Sequence, residues 1–301
     1  MISSQKLFNG GFGVALITPF TSTDDVDEDG LAQVVQNVVQ GGADFLVALG
    51  STGETAMLND RERRRVTELV AMHRGDTKLV IGTGTSATKS TCAWTQTAKD
   101  DGADAALIAV PAYTKPTQAG IVAHFTAVAA AVPELPIIVY NVPGRTGVNL
   151  TPETMRELWR IPSVVALKES SGNIEQISRI AAELPEGRTL LAGDDGLLLP
   201  TIAVGGHGIV SVAGNVVPQA IRELLLTAQS SDFQSAQRQQ AALQPLLDAL
   251  SLEPNPVSIK AAVAMTGIAS ATPRLPLLPA SEATRNAIRI ALQQTRSLST
   301  H

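Results

Sequence analysis

Eight short apolar runs, each followed by a longer amphipathic stretch, constrain the fold of this chain more than any other feature of its sequence. The runs are Gly13–Thr18, Phe45–Gly50, Leu79–Gly84, Ala105–Val110, Pro136–Asn141, Val164–Glu169, Thr189–Asp194 and Gly208–Val212. They show no polar alternation, so the strands they predict have no wet face, as in a parallel sheet covered on both sides. Between them, Leu31–Gln40, Asp60–Met72, Ala87–Asp100, Gln118–Ala131 and Asn173–Leu184 repeat apolar residues with the helical period. Strand starts fall roughly 20 to 35 residues apart, one βα unit each time. Eight units predict a closed (β/α)8 TIM barrel of the α/β class in preference to a doubly wound sheet. No internal sequence similarity accompanies the repeat. Beyond the eighth run, Val217–Ala228, Asp232–Ala249, Val257–Thr266 and Ala280–Gln294 read as helices, separated by Pro254, Pro256, Pro273 and Pro276. The expected organisation is a barrel over residues 1–225 and a C-terminal helical extension over 226–301.

Composition narrows the partners. With 44% hydrophobic and 17% charged residues in 301, the chain can bury a large core. The net charge is −5 and the 23 basic residues are scattered. The one local cluster, Arg61 to Arg65, is mixed with acids at a helix start, so neither nucleic acid nor an anionic membrane is an expected partner. The single cysteine, Cys92, can form no internal disulfide and has no metal-ligand neighbours, so it reads as a helix packing residue. No apolar run reaches the ~18 residues of a membrane span. The N-terminus lacks the basic start, apolar core and cleavage site of a leader, and the expected location is the cytoplasm.

In barrel enzymes the chemistry sits at the C-terminal ends of the strands. The sixth run ends in Lys168-Glu169-Ser170-Ser171-Gly172-Asn173. Lysine is seldom buried without a reason, and one desolvated at a strand exit can attack a carbonyl as a neutral amine. Lys168 therefore reads as a Schiff-base nucleophile, the plainer alternative being a lysine that snorkels out of a strand end. The second run exits into Gly50-Ser51-Thr52-Gly53-Glu54, where glycines let backbone amides approach a ligand. The chain has only two tyrosines, Tyr113 and Tyr140, and both fall at predicted strand exits on that face. A tyrosine beside hydroxyls and a lysine can pass the protons that imine formation and dehydration require. Arg145 follows a proline-glycine turn, where its fork of donors can grip a carboxylate. Other features are weaker. Gly82-Thr83-Gly84 lacks the spacing of a phosphate loop and reads as packing. Asp194-Asp195 lacks a third metal ligand and reads as a helix cap. His207 stands at a strand start, away from the chemistry, and His73 and His124 read as helix-surface or packing residues.

Across Gly50–Glu54, Tyr140–Gly147 and Lys168–Asn173 the sequence resembles the dihydrodipicolinate synthase family of pyruvate-dependent class I aldolases. The likeness runs from Gly13–Phe20 through Gly193-Asp194-Asp195 and Gly205–Gly208 to Asn255-Pro256 and Arg274–Leu277. The resemblance implies that Lys168 forms an imine with pyruvate and that Tyr140, hydrogen-bonded to Ser51, donates and accepts protons. It implies that Tyr113 completes the relay from across a tight dimer interface. Ser51 and Thr52 would bind the pyruvate carboxylate, Arg145 the second substrate, L-aspartate 4-semialdehyde, while Val210 and Gly193 line the pocket. No cofactor and no metal are implied, and the expected assembly is a homotetramer, a dimer of dimers.

Two positions depart from the family pattern. Ser51-Thr52 stands where two threonines are usual, which removes the χ1 stiffness of one β-branched residue. Ala112-Tyr113 stands where paired tyrosines are frequent. The family's lysine feedback pocket would align with Ala56, Asp60, Arg63, Ser86, Ser90 and Ala112. Lysine-sensitive members carry an acid where this chain has Ser90, so the expectation is insensitivity to L-lysine. The rival readings are another pyruvate-type aldolase on the same scaffold, an N-acetylneuraminate lyase or 2-keto-3-deoxy sugar-acid aldolase, and a non-catalytic barrel that binds a keto acid.

Overall fold

The computed structural model describes residues 11–270 and 272–298, so the first ten residues, part of the stretch read for a leader, lie outside the described residues. The apolar runs become β1 (Phe12–Ala15), β2 (Phe45–Ala48), β3 (Lys78–Gly82), β4 (Ala105–Ala109), β5 (Ile137–Asn141), β6 (Val164–Glu169), β7 (Thr189–Ala192) and β8 (Gly208–Ser211). Neighbours pair in parallel and in chain order, and β8 closes on β1 with Gly13 opposite Val210, which completes the predicted barrel. Side chains alternate between two cores, as the strand period requires. In β5, Ile138 and Tyr140 join Phe45, Val47, Leu107, Leu191 and Val210 inside the barrel, whereas Ile137 and Val139 pack outward. Gly13 makes room for this interior, because a Cβ there would lie 2.1 Å from the Phe45 ring.

The helices that cover the barrel are α1 (Glu28–Gln40), α2 (Asp60–His73), α3 (Thr88–Asp100), α4 (Gln118–Ala131), α5 (Pro143–Thr146), α6 (Pro152–Leu158), α7 (Ile174–Ala182), α8 (Leu198–Ala203) and α9 (Pro218–Gln229). Helix starts follow local chemistry. Asn59 and Glu62 form a reciprocal capping box on α2, and the Thr117 and Thr151 hydroxyls cap α4 and α6. The sequence pattern does not reveal α5, α6 and α8, which at 4, 7 and 6 residues are too short to show an amphipathic period. Several strands also end earlier than their apolar runs. Pairing in β1 stops at Ala15, yet Leu16, Ile17 and Thr18 stay buried, because hydrophobicity reports burial and not ladder hydrogen bonds. The division drawn at 225/226 falls inside α9. The extension comprises α10 (Phe233–Leu250), α11 (Val257–Met265) and α12 (Glu282–Leu298), with α12 packed on α10 and α11.

A buried ionic cluster ties this extension to the rim of the barrel. Lys260 of α11 pairs with Glu54 of the loop after β2, and both side chains are completely buried. The Lys260 ammonium also lies 4.1 Å from the centroid of the Phe20 ring and donates to the Thr272 carbonyl at 2.9 Å. Burial pulls its pKa down to about 8, against the upward pull of Glu54. Arg274 stacks on the same ring at 4.2 Å, donates its backbone N–H to Glu54 at 2.9 Å, and grips Glu62 and Asp24 with its guanidinium. Removing one member of such a pair strands the other charge, which costs on the order of 3–5 kcal/mol, whereas removing both costs far less. Lys260→Met is therefore expected to lower the melting temperature strongly and Glu54→Gln/Lys260→Met to recover most of the loss. A double variant that melts as low as the single one would count against this.

Candidate active site

Consecutive residues of β6 face opposite ways. Lys168 points into the barrel, 3% exposed, with its amine 4.3 Å from the centroid of the Tyr140 ring. The two residues are register partners across β5 and β6, so their side chains emerge side by side on the inner face. Glu169 points outward and is buried among polar partners. Asn141 Nδ2 donates to both of its oxygens (2.9 and 3.2 Å) and the Ser171 N–H to one at 2.7 Å. Burial pushes the Glu169 carboxyl above the usual carboxylate range, while these hydrogen bonds pull it back. The network pins the end of β6 and, through the backbone, the base of Lys168.

The rest of the rim closes around that amine. Gly193, at the exit of β7, has no space for a side chain, since a Cβ would sit 1.8 Å from Ser170 Oγ and 3.1 Å from Lys168 Cε. Val210 of β8 is fully buried in the barrel interior. In the loop after β2, Leu49 (φ 55°) and Glu54 (φ 53°) take left-handed conformations on either side of Gly50-Ser51-Thr52-Gly53. Such conformations disfavour non-glycine residues and persist only where the surroundings hold them. Here the Thr18 hydroxyl donates to the Gly53 carbonyl at 2.8 Å, and Lys260 and Arg274 hold Glu54. Thr52 is buried, and its hydroxyl accepts a hydrogen bond from Asn255 Nδ2 at 2.9 Å. Arg145, exposed on α5, donates from Nη2 to the Asn255 carbonyl at 2.8 Å.

Two cavities open at this end of the barrel. One of about 670 Å³ is lined by Lys168, Tyr140, Thr52, Arg145, Gly193 and Asp194 among others. A more apolar one of about 330 Å³ is lined by Ser51, Leu107, Ala109 and Ala112, and Tyr140, Arg145 and Asn255 face both. The structure thus brings Lys168, Tyr140, Thr52, Arg145 and Gly193 together, with Ser51 on the second cavity, which Tyr140 also lines. No hydrogen bond joins the Tyr140 and Ser51 hydroxyls, contrary to expectation. Tyr113 sits on a left-handed turn (φ 69°), is 92% exposed, and lines neither cavity.

Asp194-Asp195 does not cap the next helix, contrary to the sequence pattern. The Asp194 side chain makes no cap bond to the helical turn that follows. Asp195 accepts instead from Ser211 Oγ at the end of β8 and from the N–H groups of Val212 and Ala213, both at 3.0 Å, so it fastens the exit of β8 to that of β7. Desolvation pushes the Asp195 carboxyl up while Ser211 and the two N–H groups pull it down. Desolvation also raises Asp194, against the attraction of Lys168. The glycines of Gly82-Thr83-Gly84 do serve packing, since Cβ atoms there would lie 2.0 Å from the Leu49 carbonyl and 2.7 Å from the Ala109 nitrogen. His124 is buried, with Nδ1 3.0 Å from the Thr88 hydroxyl, and Cys92 is a partly buried residue of α3. Among the described residues no three His, Cys, Asp or Glu side chains cluster closely enough to hold a metal ion, and no helix is long and apolar enough to cross a membrane. Sequence reasoning missed Asn255, although Asn255-Pro256 stands out in the pattern, because its contacts to Thr52 and Arg145 span 203 and 110 residues of chain.

A (β/α)8 barrel whose rim presents a buried amine to an open cleft suits a lyase that works through a lysine, and the relatives of this chain bear that class out. The model of the dihydrodipicolinate synthetase family matches residues 9–295, and the chain belongs to that family. The 4-hydroxy-tetrahydrodipicolinate synthase of Thermomicrobium roseum is 43% identical over 283 residues, 94% of this chain and 93% of that protein. The solved synthase of Acinetobacter baumannii, in complex with pyruvate, is 35% identical with a TM-score of 0.93, covering 95% of this chain and 99% of its own. The lysine-bound enzyme of Cyanidioschyzon merolae is 34% identical with a TM-score of 0.93, covering 96% and 99%.

The tight seat of Gly193 gives a test of the rim. Gly193→Ala is expected to displace Ser170 and the Lys168 stem, lowering kcat/KM at least ten-fold, and Gly193→Ala/Ser170→Gly to regain part of the loss. Wild-type activity in Gly193→Ala would show that the close approach is not needed.

Proposed function

We propose that this chain is a 4-hydroxy-tetrahydrodipicolinate synthase that condenses pyruvate with L-aspartate 4-semialdehyde through an imine on Lys168, in lysine and diaminopimelate biosynthesis. The observation that carries this reading is the buried Lys168 amine, seated over the Tyr140 ring and open to a cleft that Arg145 and Thr52 also line. The amine adds to the pyruvate carbonyl, and loss of water gives the imine. A proton then leaves the pyruvate methyl group, and the resulting enamine carbon attacks the aldehyde, whose oxygen takes up a proton. The amino group of the condensed product displaces Lys168 and closes the ring. Tyr140 is the group that moves these protons. Ser51, which makes no hydrogen bond to Tyr140 here, joins the relay once substrate is bound, and Tyr113 extends it from a second copy of the chain, in keeping with its exposure at the rim. Thr52 and the loop amides hold the pyruvate carboxylate in a pocket bounded by Val210 and Gly193, and Arg145 holds the aldehyde's carboxylate. The imine itself is the electron sink, so the chemistry needs no cofactor. The assembly read with this mechanism is a homotetramer in the cytoplasm.

Borohydride reduction in the presence of pyruvate is expected to leave a covalent adduct that peptide mass spectrometry maps to Lys168. No adduct would overturn this reading and the sugar-acid aldolase reading together and would favour a binding barrel. Arg145→Ala is expected to lower kcat/KM for the semialdehyde by about 10- to 100-fold, the worth of a charge-assisted hydrogen bond. Turnover of 2-keto-3-deoxy sugar acids in preference to the semialdehyde would instead identify the other aldolase.

Regulation follows from the pocket aligned with the family's feedback site. Ser90 is exposed and uncharged there, and the Arg63 guanidinium is buried 4.1 Å over the Trp94 ring. No carboxylate at position 90 waits for an incoming ammonium group. Millimolar L-lysine is expected to leave the steady-state rate unchanged, and half-inhibition in that range would refute insensitivity.

A further inference from the structure

Asn255 belongs to the C-terminal extension, yet it touches both groups assigned to gripping substrates. Its Nδ2 donates to the Thr52 hydroxyl at 2.9 Å, and its carbonyl accepts from Arg145 Nη2 at 2.8 Å. It lines both cavities, and its Oδ1 is buried without a hydrogen-bond partner. The direction of the first bond matters. A hydroxyl that accepts from an amide keeps its own proton for another acceptor. We infer that Asn255 is a positioning residue that turns the Thr52 hydroxyl proton toward the cleft, where the carboxylate of a 2-keto acid receives it.

This inference rests on Thr52 as the carboxylate-binding residue of the proposed reaction. Its chemistry separates the two halves of Asn255. The side chain acts on Thr52 and thereby on the keto acid, while the backbone carbonyl acts on Arg145 and survives any side-chain substitution. An isosteric carboxylate at this position accepts but does not donate. It would take the Thr52 proton for itself and leave the keto acid facing lone pairs.

The experiment is steady-state kinetics with pyruvate and the semialdehyde on the full chain. Asn255→Ala is expected to raise KM for pyruvate about 5- to 10-fold, the worth of one hydrogen bond, and to leave KM for the aldehyde within about two-fold. Asn255→Asp is expected to raise KM for pyruvate further than Asn255→Ala does, although it is the closer isostere. In a Thr52→Val background, Asn255→Ala should add less than about two-fold, because the hydroxyl it orients is gone. An unchanged pyruvate KM in Asn255→Ala, an equal rise in both KM values, or Asn255→Asp matching or outperforming Asn255→Ala would overturn the inference. A wild-type enzyme that traps no pyruvate on Lys168 would overturn the underlying reading instead, so the two failures are distinguishable.

Discussion

The buried pair between Glu54 and Lys260 is the constraint on which the rim of this barrel depends. Two opposite charges without solvent exposure are held only because each is also engaged elsewhere, Glu54 by the Arg274 backbone and Lys260 by Phe20 and Thr272. Desolvation works against the ammonium, and its partner works for it. The pair joins a loop near residue 54 to a helix near residue 260, so the extension is part of the site's scaffold. Together with the Thr18 hydroxyl on the Gly53 carbonyl and the Arg274 N–H on Glu54, the pair holds the loop that carries Ser51 and Thr52, with Glu54 in its left-handed conformation. Asn255, two residues before that helix, uses the same anchorage to reach Thr52 and Arg145.

Strand geometry supplies the second constraint. Because side chains alternate, β6 can aim a lysine at the cleft and, one residue later, bury a glutamate against the outer helices. The two roles need opposite surroundings. Lys168 meets an aromatic face and open space, whereas Glu169 is saturated with donors from Asn141 and Ser171 that make a buried carboxylate tolerable. The tightness at Gly193 continues the same logic, since the lysine stem is confined by packing at its base and free at its tip.

Much of this is legible in the sequence, for identifiable reasons. The eight strands could be read because strands buried on both faces are continuously apolar, and Lys168 could be singled out because it interrupts such a run. Arg145 and the hydroxyl loop were visible because they follow strand ends. The helices α5, α6 and α8 were not legible, because four to seven residues show no helical period. Local pattern makes Asp195 look like a cap because its partners lie 16 to 18 residues onward, across a strand boundary that such a pattern does not resolve.

By itself, the sequence determined the barrel, the rim at the C-terminal ends of its strands and the buried lysine on that rim, because each is written in local hydrophobic pattern and in residue types that interrupt it. Only the tertiary structure decided how that lysine is surrounded. The register that sets Tyr140 beside Lys168, the ion pair that braces the hydroxyl loop and the amide that orients Thr52 all join residues far apart in the chain. Tyr113 shows the same division in reverse: its position at a strand exit was readable, but its exposure away from both cavities is a property of three-dimensional packing. Such contacts depend on barrel closure, and no local periodicity encodes them.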